Sequence, residues 1–276
     1  MNAEELFRNI QRKKSYLCIG LDTDYSRIPR LLLEKEYPIF EFNRHIIDAT
    51  EDLVVAYKPN VAFYESMGAA GFMSLELTVN YLRKHYPDIF IIIDAKRGDI
   101  GNTSRMYANA YFKTLDCDAI TLFPYMGRDS LIPFLENEGR WAVILALTSN
   151  QGSEDFQQLE IRGGKRLFEK VITTTASWGT VNNIMYVVGA TKAEQLRNIR
   201  KMIPEHFLLV PGIGAQGGSL YDVAEFGMND RCGLLVNAGR SIIYADVTNR
   251  FEQAARQEAS RLQQQMEATL RNRNLI

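Results

Sequence analysis

Ile91-Ile92-Ile93-Asp94-Ala95-Lys96-Arg97-Gly98-Asp99-Ile100 is the stretch on which the fold turns. Three β-branched residues lead straight into a run of charges. Preceded by Pro87-Asp88, such an apolar run reads as a strand buried on both faces. A buried strand cannot hold charges in its middle without a large desolvation cost. The charges therefore belong at its carboxyl end, where it leaves the core. Asp94 and Lys96 are two residues apart, so strand alternation points their side chains to the same side. That puts a carboxylate beside an ammonium at the mouth of some cavity. The plainer alternative is a structural ion pair at a strand end.

The same pattern repeats on either side. Tyr16–Asp22 and Leu53–Asn60 are apolar runs that end in charge, the second stopped by Pro59, which cannot donate to a ladder. After the opening strand come Ala119–Pro124, Trp141–Thr148, Ile184–Gly189, Phe207–Gly212 and Gly233–Gly239. Helical spacing marks the intervening segments: 39–52, helices within 64–86 broken near Gly68–Gly71, 102–115, 129–137, 165–177, 193–202 and 220–226. Asp24–Tyr37 reads as a loop with a short helical piece, and Ser149–Arg162 as a polar loop long enough to lie over a site. The eight strands lack hydrophobic–polar alternation, which favours a parallel sheet covered on both faces. Eight βα units predict a single (β/α)8 TIM barrel, an α/β fold with the barrel proper over about 15–246; an open doubly wound sheet is the alternative. An amphipathic helix within Met1–Lys14 precedes it. A long helix over about 249–273 follows, with Phe251, Ala255, Ala259 and Leu262 on one face and an Arg-rich solvated face opposite.

Bulk properties narrow the function classes. The 276 residues carry a net charge of −1, which argues against nonspecific nucleic-acid binding. Cys18, Cys117 and Cys232 are far apart and sit in apolar runs, as reduced thiols of a cytoplasmic protein do; they form neither a disulfide framework nor a zinc site. No run approaches the roughly 20 apolar residues that span a bilayer, and the amino terminus has no secretory core.

In a barrel of this kind the site lies at the carboxyl ends of the strands. Asp22, Lys58, Asp94 and Lys96 fall there from three neighbouring strands, with Asp99 in the loop beyond. Alternating acids and ammonium groups can hold one another ionised in a dry pocket. Pro211-Gly-Ile-Gly-Ala-Gln216-Gly-Gly218 follows strand seven, and Asn237-Ala-Gly239-Arg240-Ser241 follows strand eight. Barrels often bind phosphate with these two loops. Their glycines let backbone N–H groups approach the oxygens, and Arg240 can grip them. His45, His85 and His206 fall on helices or helix ends and read as structural. Met126, near the mouth after strand four, could line a base pocket or simply pack.

These residues carry a resemblance. Asp94-Ala-Lys96-Arg-Gly-Asp99-Ile100 resembles the D-x-K-x-x-D-I motif of the orotidine 5′-phosphate decarboxylase family. Lys58 in Tyr-Lys-Pro-Asn, the Pro211–Gly217 loop and Gly239-Arg240-Ser241 fit it in the same order, from about Ser15 to Asp246, most closely its longer-chain bacterial branch. The resemblance implies cofactor-free, metal-free decarboxylation of orotidine 5′-monophosphate to uridine 5′-monophosphate, the last step of de novo synthesis of that nucleotide. It implies that Lys96 protonates C6, that Asp94 lies against the substrate carboxylate, and that Lys58 bridges Asp94 and the ribose. Asp22 would bind a ribose hydroxyl and Ser149 the pyrimidine. Pro211 would touch the substrate, and Gln216, Gly239 and Arg240 would contact the phosphate, whose binding energy could close the 212–218 loop. It further implies a homodimer with shared sites, Asp99, Ile100 and Thr103 serving the neighbour. Two alternatives remain. Sugar-phosphate barrel enzymes that use magnesium share the D-x-K-x-x-D pattern but resemble one another in an acid metal ligand where this chain has Lys58. A nucleotide-binding regulator would have no need of the intact Asp-Lys-Asp set.

Overall fold

The computed structural model describes residues 1–190, 193–213 and 218–276. The chain enters through α1 (Ala3–Lys13), then alternates strands with helices. β1 (Leu17–Leu21) leads through two 3₁₀ turns to α2 (Pro38–Thr50), and β2 (Ala56–Pro59) to α3 (Val61–Glu65) and α4 (Gly68–His85). β3 (Phe90–Arg97) is followed by α5 (Gly101–Asn109), β4 (Ala119–Leu122) by α6 (Arg128–Leu135), and β5 (Trp141–Leu147) by the short α7 (Ser153–Phe156) and α8 (Leu167–Thr175). The last units are β6 (Ile184–Val188) with α9 (Ala193–Met202), β7 (Phe207–Pro211) with α10 (Leu220–Gly227), and β8 (Leu234–Ala238) with α11 (Arg240–Ile243) and α12 (Phe251–Asn272).

All eight strands pair in parallel with their sequence neighbours, and β8 closes on β1 through Leu17↔Val236, Cys18↔Asn237 and Ile19↔Ala238. The fold is therefore the predicted (β/α)8 barrel, not an open sheet. Valine, isoleucine and leucine fill the strands because both faces are covered, and the cores of β1, β4, β5 and β6 are buried along their whole length. Inside the amino-terminal mouth Trp141 lies edge-on between Phe90 and Phe207, with centroid distances of 5.9 and 6.3 Å. These rings come from β3, β5 and β7, so alternate strands fill one layer.

α1 covers that mouth. Its Asn2 caps the helix and Leu6 and Ile10 are fully buried. Trp141 Nε1 donates to the Met1 carbonyl at 2.8 Å, and Asn9 Nδ2 to the Asp88 carbonyl at 2.8 Å, both at strand amino ends. α12 lies along α2: Phe251 stacks on Phe42 at 5.3 Å and Arg256 grips Asp52 with two bonds of 2.7 and 2.8 Å. Its apolar face is buried as read from the spacing, and extends on through Met266 and Leu270. With both the amino mouth and the α2 side covered, the carboxyl mouth is left to carry chemistry. Smaller differences from the sequence reading are local. The helix after β3 gives way to a π-turn over Ala110–Thr114. His206 lies in the connection before β7.

Candidate active site

At the carboxyl rim four charges from β1, β2 and β3 form a chain. Lys58 Nζ donates to Asp94 Oδ2 at 2.8 Å and stands 3.9 Å from Asp22 Oδ1. Lys96 Nζ donates to Asp94 Oδ1 at 2.6 Å. The order is acid, ammonium, acid, ammonium, so the set is neutral and each charge faces an opposite one. Side-chain exposure is 22% for Asp22, 5% for Lys58 and 12% for Asp94, and reaches 49% at Lys96. Lys96 is thus the charge that an incoming molecule meets first.

Burial lowers the pKa of Lys58, but the Asp94 and Asp22 carboxylates outweigh it and hold the ammonium above its usual range. Burial would likewise raise Asp94, yet Lys58 and Lys96 together hold its carboxyl well below the usual carboxylate range. Asp22 Oδ1 is buried and makes no hydrogen bond among the described residues, leaving it an acceptor beside Lys58. Beneath the set, burial pushes the Cys18 thiol up to about 12, so it stays neutral.

The backbone that presents these groups is not a plain strand. The β3–β4 pairing runs through Ile92↔Ala119 and Ile93↔Ile120, then breaks and resumes at Arg97↔Leu122. Lys96 sits in this break with φ +47°, in the left-handed region that a lysine rarely adopts. Asp94 and Lys96 do meet, as expected, but simple alternation is not what brings them together. The Thr121 hydroxyl of β4 spans the break, donating to Asp94 Oδ1 and accepting from the Lys96 N–H, each at 2.9 Å. The sequence reading did not single out Thr121. Its only signal is a lone hydroxyl in the apolar run of β4.

The remaining predicted residues lie around the same rim. Ser149 follows β5 and packs against Gly189 at the end of β6, where an added Cβ would stand 2.7 Å from the Ser149 nitrogen. The segment beyond is held down by Gln157, whose Oε1 accepts from the Thr148 N–H at 2.7 Å. Pro211 ends β7 opposite Asn237. The loop after it is pinned where Gly218 N donates to the Gly212 carbonyl at 3.2 Å. Gln216, in the 214–217 stretch, lies outside the described residues. Gly239 caps α11 and the exposed Arg240 begins it. A Cβ on Gly239 would stand 3.2 Å from the Gly20 carbonyl oxygen, so this glycine also lets β1 and β8 close. Asp99 is half-buried and its carboxylate accepts from the Ile100 N–H at 2.7 Å; Ile100 and Thr103 are exposed. Among the described residues, none of these three bonds to the charged chain. They lie with Met106, Phe123, Tyr125 and Met126, all exposed, on the β3 and β4 ends and α5. Met126 is therefore a surface residue of this chain. His45 bridges α2 to α12 through Glu252 at 2.8 Å.

Comparison with known proteins bears on this geometry. A family model described as Orotidine 5′-phosphate decarboxylase / HUMPS family matches residues 15–257. A Phocaeicola vulgatus protein named orotidine 5′-phosphate decarboxylase is 59% identical over 267 residues, 97% of this chain and 98% of that protein. The solved Leishmania donovani OMP decarboxylase superposes with a TM-score of 0.82 at 34% identity, covering 98% of each chain. Leishmania donovani UMP synthase superposes with a TM-score of 0.84 at 36% identity; 96% of this chain is covered, and it spans 56% of that protein.

Proposed function

The chain belongs to the orotidine 5′-phosphate decarboxylase / HUMPS family, as a carboxy-lyase, and from that membership we propose that it converts orotidine 5′-monophosphate to uridine 5′-monophosphate and carbon dioxide without a cofactor. This would be the last step of de novo synthesis of uridine 5′-monophosphate, carried out in the cytoplasm. The observation that carries the reading is the Asp22–Lys58–Asp94–Lys96 chain at the carboxyl rim.

Loss of carbon dioxide leaves an electron pair on C6 of the pyrimidine, with no adjacent ring acceptor to spread it. An ammonium fixed beside that carbon stabilises the developing charge and then delivers a proton to it. Lys96 takes this role because it is the most exposed charge of the set. Asp94 stands against the substrate carboxylate, where repulsion relaxes as carbon dioxide departs. Lys58 balances Asp94 and reaches the ribose. Asp22, with its unbonded buried oxygen, accepts a ribose hydroxyl. Ser149 meets the pyrimidine, Pro211 lines the substrate site, and Gln216, Gly239 and Arg240 hold the phosphate. Binding energy from that remote phosphate can exclude water from the reacting carbon.

The reading includes a homodimer in which Asp99, Ile100 and Thr103 complete the neighbour's site. Its support is the exposed apolar surface of Ile100, Met106, Phe123, Tyr125 and Met126 around them, the kind of patch that marks an interaction site. Lys58 separates this reading from a magnesium-dependent sugar-phosphate enzyme, since a buried ammonium would repel a cation at that position. Among the described residues no helix is long and apolar enough to cross a membrane.

The test is to add orotidine 5′-monophosphate to the purified protein in the presence of EDTA and follow the loss of its ultraviolet absorbance. Turnover is expected with chelator present. Absence of turnover, or turnover only after magnesium is added, would overturn the reading.

A further inference from the structure

We propose that Thr121 is a positioning residue of this site, whose hydroxyl locks the Asp94 carboxylate to the backbone of Lys96 and so aims the Lys96 ammonium. The inference rests on the decarboxylase reading above. A hydroxyl has one proton and two lone pairs. Here the direction of both bonds is forced. A carboxylate cannot donate and an amide N–H cannot accept, so the Thr121 proton points to Asp94 Oδ1 and a lone pair faces the Lys96 N–H, at 2.9 Å each. One buried side chain thus clips together Asp94 and Lys96 of β3.

The clip is needed because of where it falls. The β3–β4 ladder breaks between Ile93 and Arg97, and Lys96 occupies the break at φ +47°. In a regular ladder a strand carbonyl would accept from that N–H; here the Thr121 side chain does so. Lysine also lacks the short polar side chain with which asparagine or aspartate supports a left-handed backbone locally. The conformation is therefore held from β4.

Asp94 Oδ1 receives two donors, Lys96 Nζ and Thr121 Oγ1. The first is the end of a long, half-exposed chain that must turn toward the substrate to act. The second is a short β-branched donor, buried and with few rotamers. When Lys96 releases Asp94, the Thr121 bond still keeps the carboxylate from swinging, and the backbone beneath Lys96 stays put. Substrate is gripped elsewhere, by the ribose and phosphate contacts, so losing the clip falls on the chemical step and not on binding.

Steady-state kinetics with orotidine 5′-monophosphate on Thr121→Val, Thr121→Ser and the parent enzyme test this. Thr121→Val keeps the shape and loses the hydroxyl; its kcat should fall about 10- to 100-fold with KM within about threefold of the parent, while Thr121→Ser keeps kcat within about threefold. Urea unfolding of each variant shows whether it is folded. Should Thr121→Val fail to fold, Thr121→Ala removes the hydroxyl without adding volume and reads the same split. An unchanged kcat in the folded hydroxyl-less variant, a loss confined to KM, or an equal loss in Thr121→Ser overturns the proposal. A parent enzyme that does not decarboxylate the nucleotide overturns the reading beneath it instead.

Discussion

Lys58 is buried, which disfavours its charge, and the carboxylates on either side more than offset that cost. The arrangement has a stability consequence. Asp94 is held below its ordinary value of 3.8, so its stabilisation is present above that value and is lost as pH falls through the lower folded one. Lys58 is held above 10.5, so its stabilisation is present below that value and is lost only as pH rises past it. Both groups stay charged between about pH 5 and pH 9, where the pair's contribution should be flat. Lys58→Met leaves two carboxylates facing each other at a buried position. Urea titration at pH 7 should show a loss of about 3–5 kcal/mol, because removing one partner of a buried pair strands the other charge. The difference from the parent should shrink as pH falls below about 4, because there the parent begins to lose the stabilisation that its depressed Asp94 carboxyl supplies. A deficit that stays unchanged below that pH would show that the lysine stem, not its charge, stabilises the site. Asp94 and Lys96 were legible from the sequence because charges cannot sit inside a buried strand. Thr121 was not, because a single threonine in an apolar run is ordinary until its neighbours across the sheet are known.

At the scale of elements, α1 and α12 belong to one task and the strand ends to another. α1 lays Leu6 and Ile10 over the amino-terminal mouth, where Met1 and Asn9 tie it to Trp141 and Asp88. The site is at the opposite mouth. Leu6→Ala should therefore cost about 2–5 kcal/mol, the range for a buried leucine truncation, with kcat and KM of the folded protein unchanged. A variant that is stable yet impaired in KM would show that α1 communicates with the site. The amphipathic pattern of α1 and the apolar face of α12 were both readable, since helical periodicity survives without any knowledge of the partner surface. What each face covers was not. The break in β3 and the π-turn after α5 also escaped the sequence reading. Both depend on how neighbouring backbones pair, and neither changes the local hydrophobic pattern that marks an element.

For the whole molecule, the proposed reading makes the complete site a property of two chains. Among the described residues Asp99, Ile100 and Thr103 make no hydrogen bond to the charged chain, and the same strand ends and α5 carry the exposed Ile100, Met106, Phe123, Tyr125 and Met126. If a second copy covers this surface, Lys96→Ala and Asp99→Ala subunits should each be inactive alone and active when mixed. Random reassortment makes half the dimers mixed, and each mixed dimer of an isologous pair holds one intact site, so about a quarter of parent activity should return. Mixed dimers that form, as shown by mass, but recover no activity would remove Asp99 from the shared site.

The order of elements, the parallel buried strands and the charged rim were determined by the sequence alone, because hydrophobic periodicity and the cost of burying charge act locally along the chain. Closure of the barrel, the Asp22–Lys58–Asp94–Lys96 chain, the left-handed Lys96 and the Thr121 clip were decided only in the tertiary structure. Each depends on residues from different strands arriving within hydrogen-bond distance. That is set by sheet register, which the pattern along any one strand does not contain.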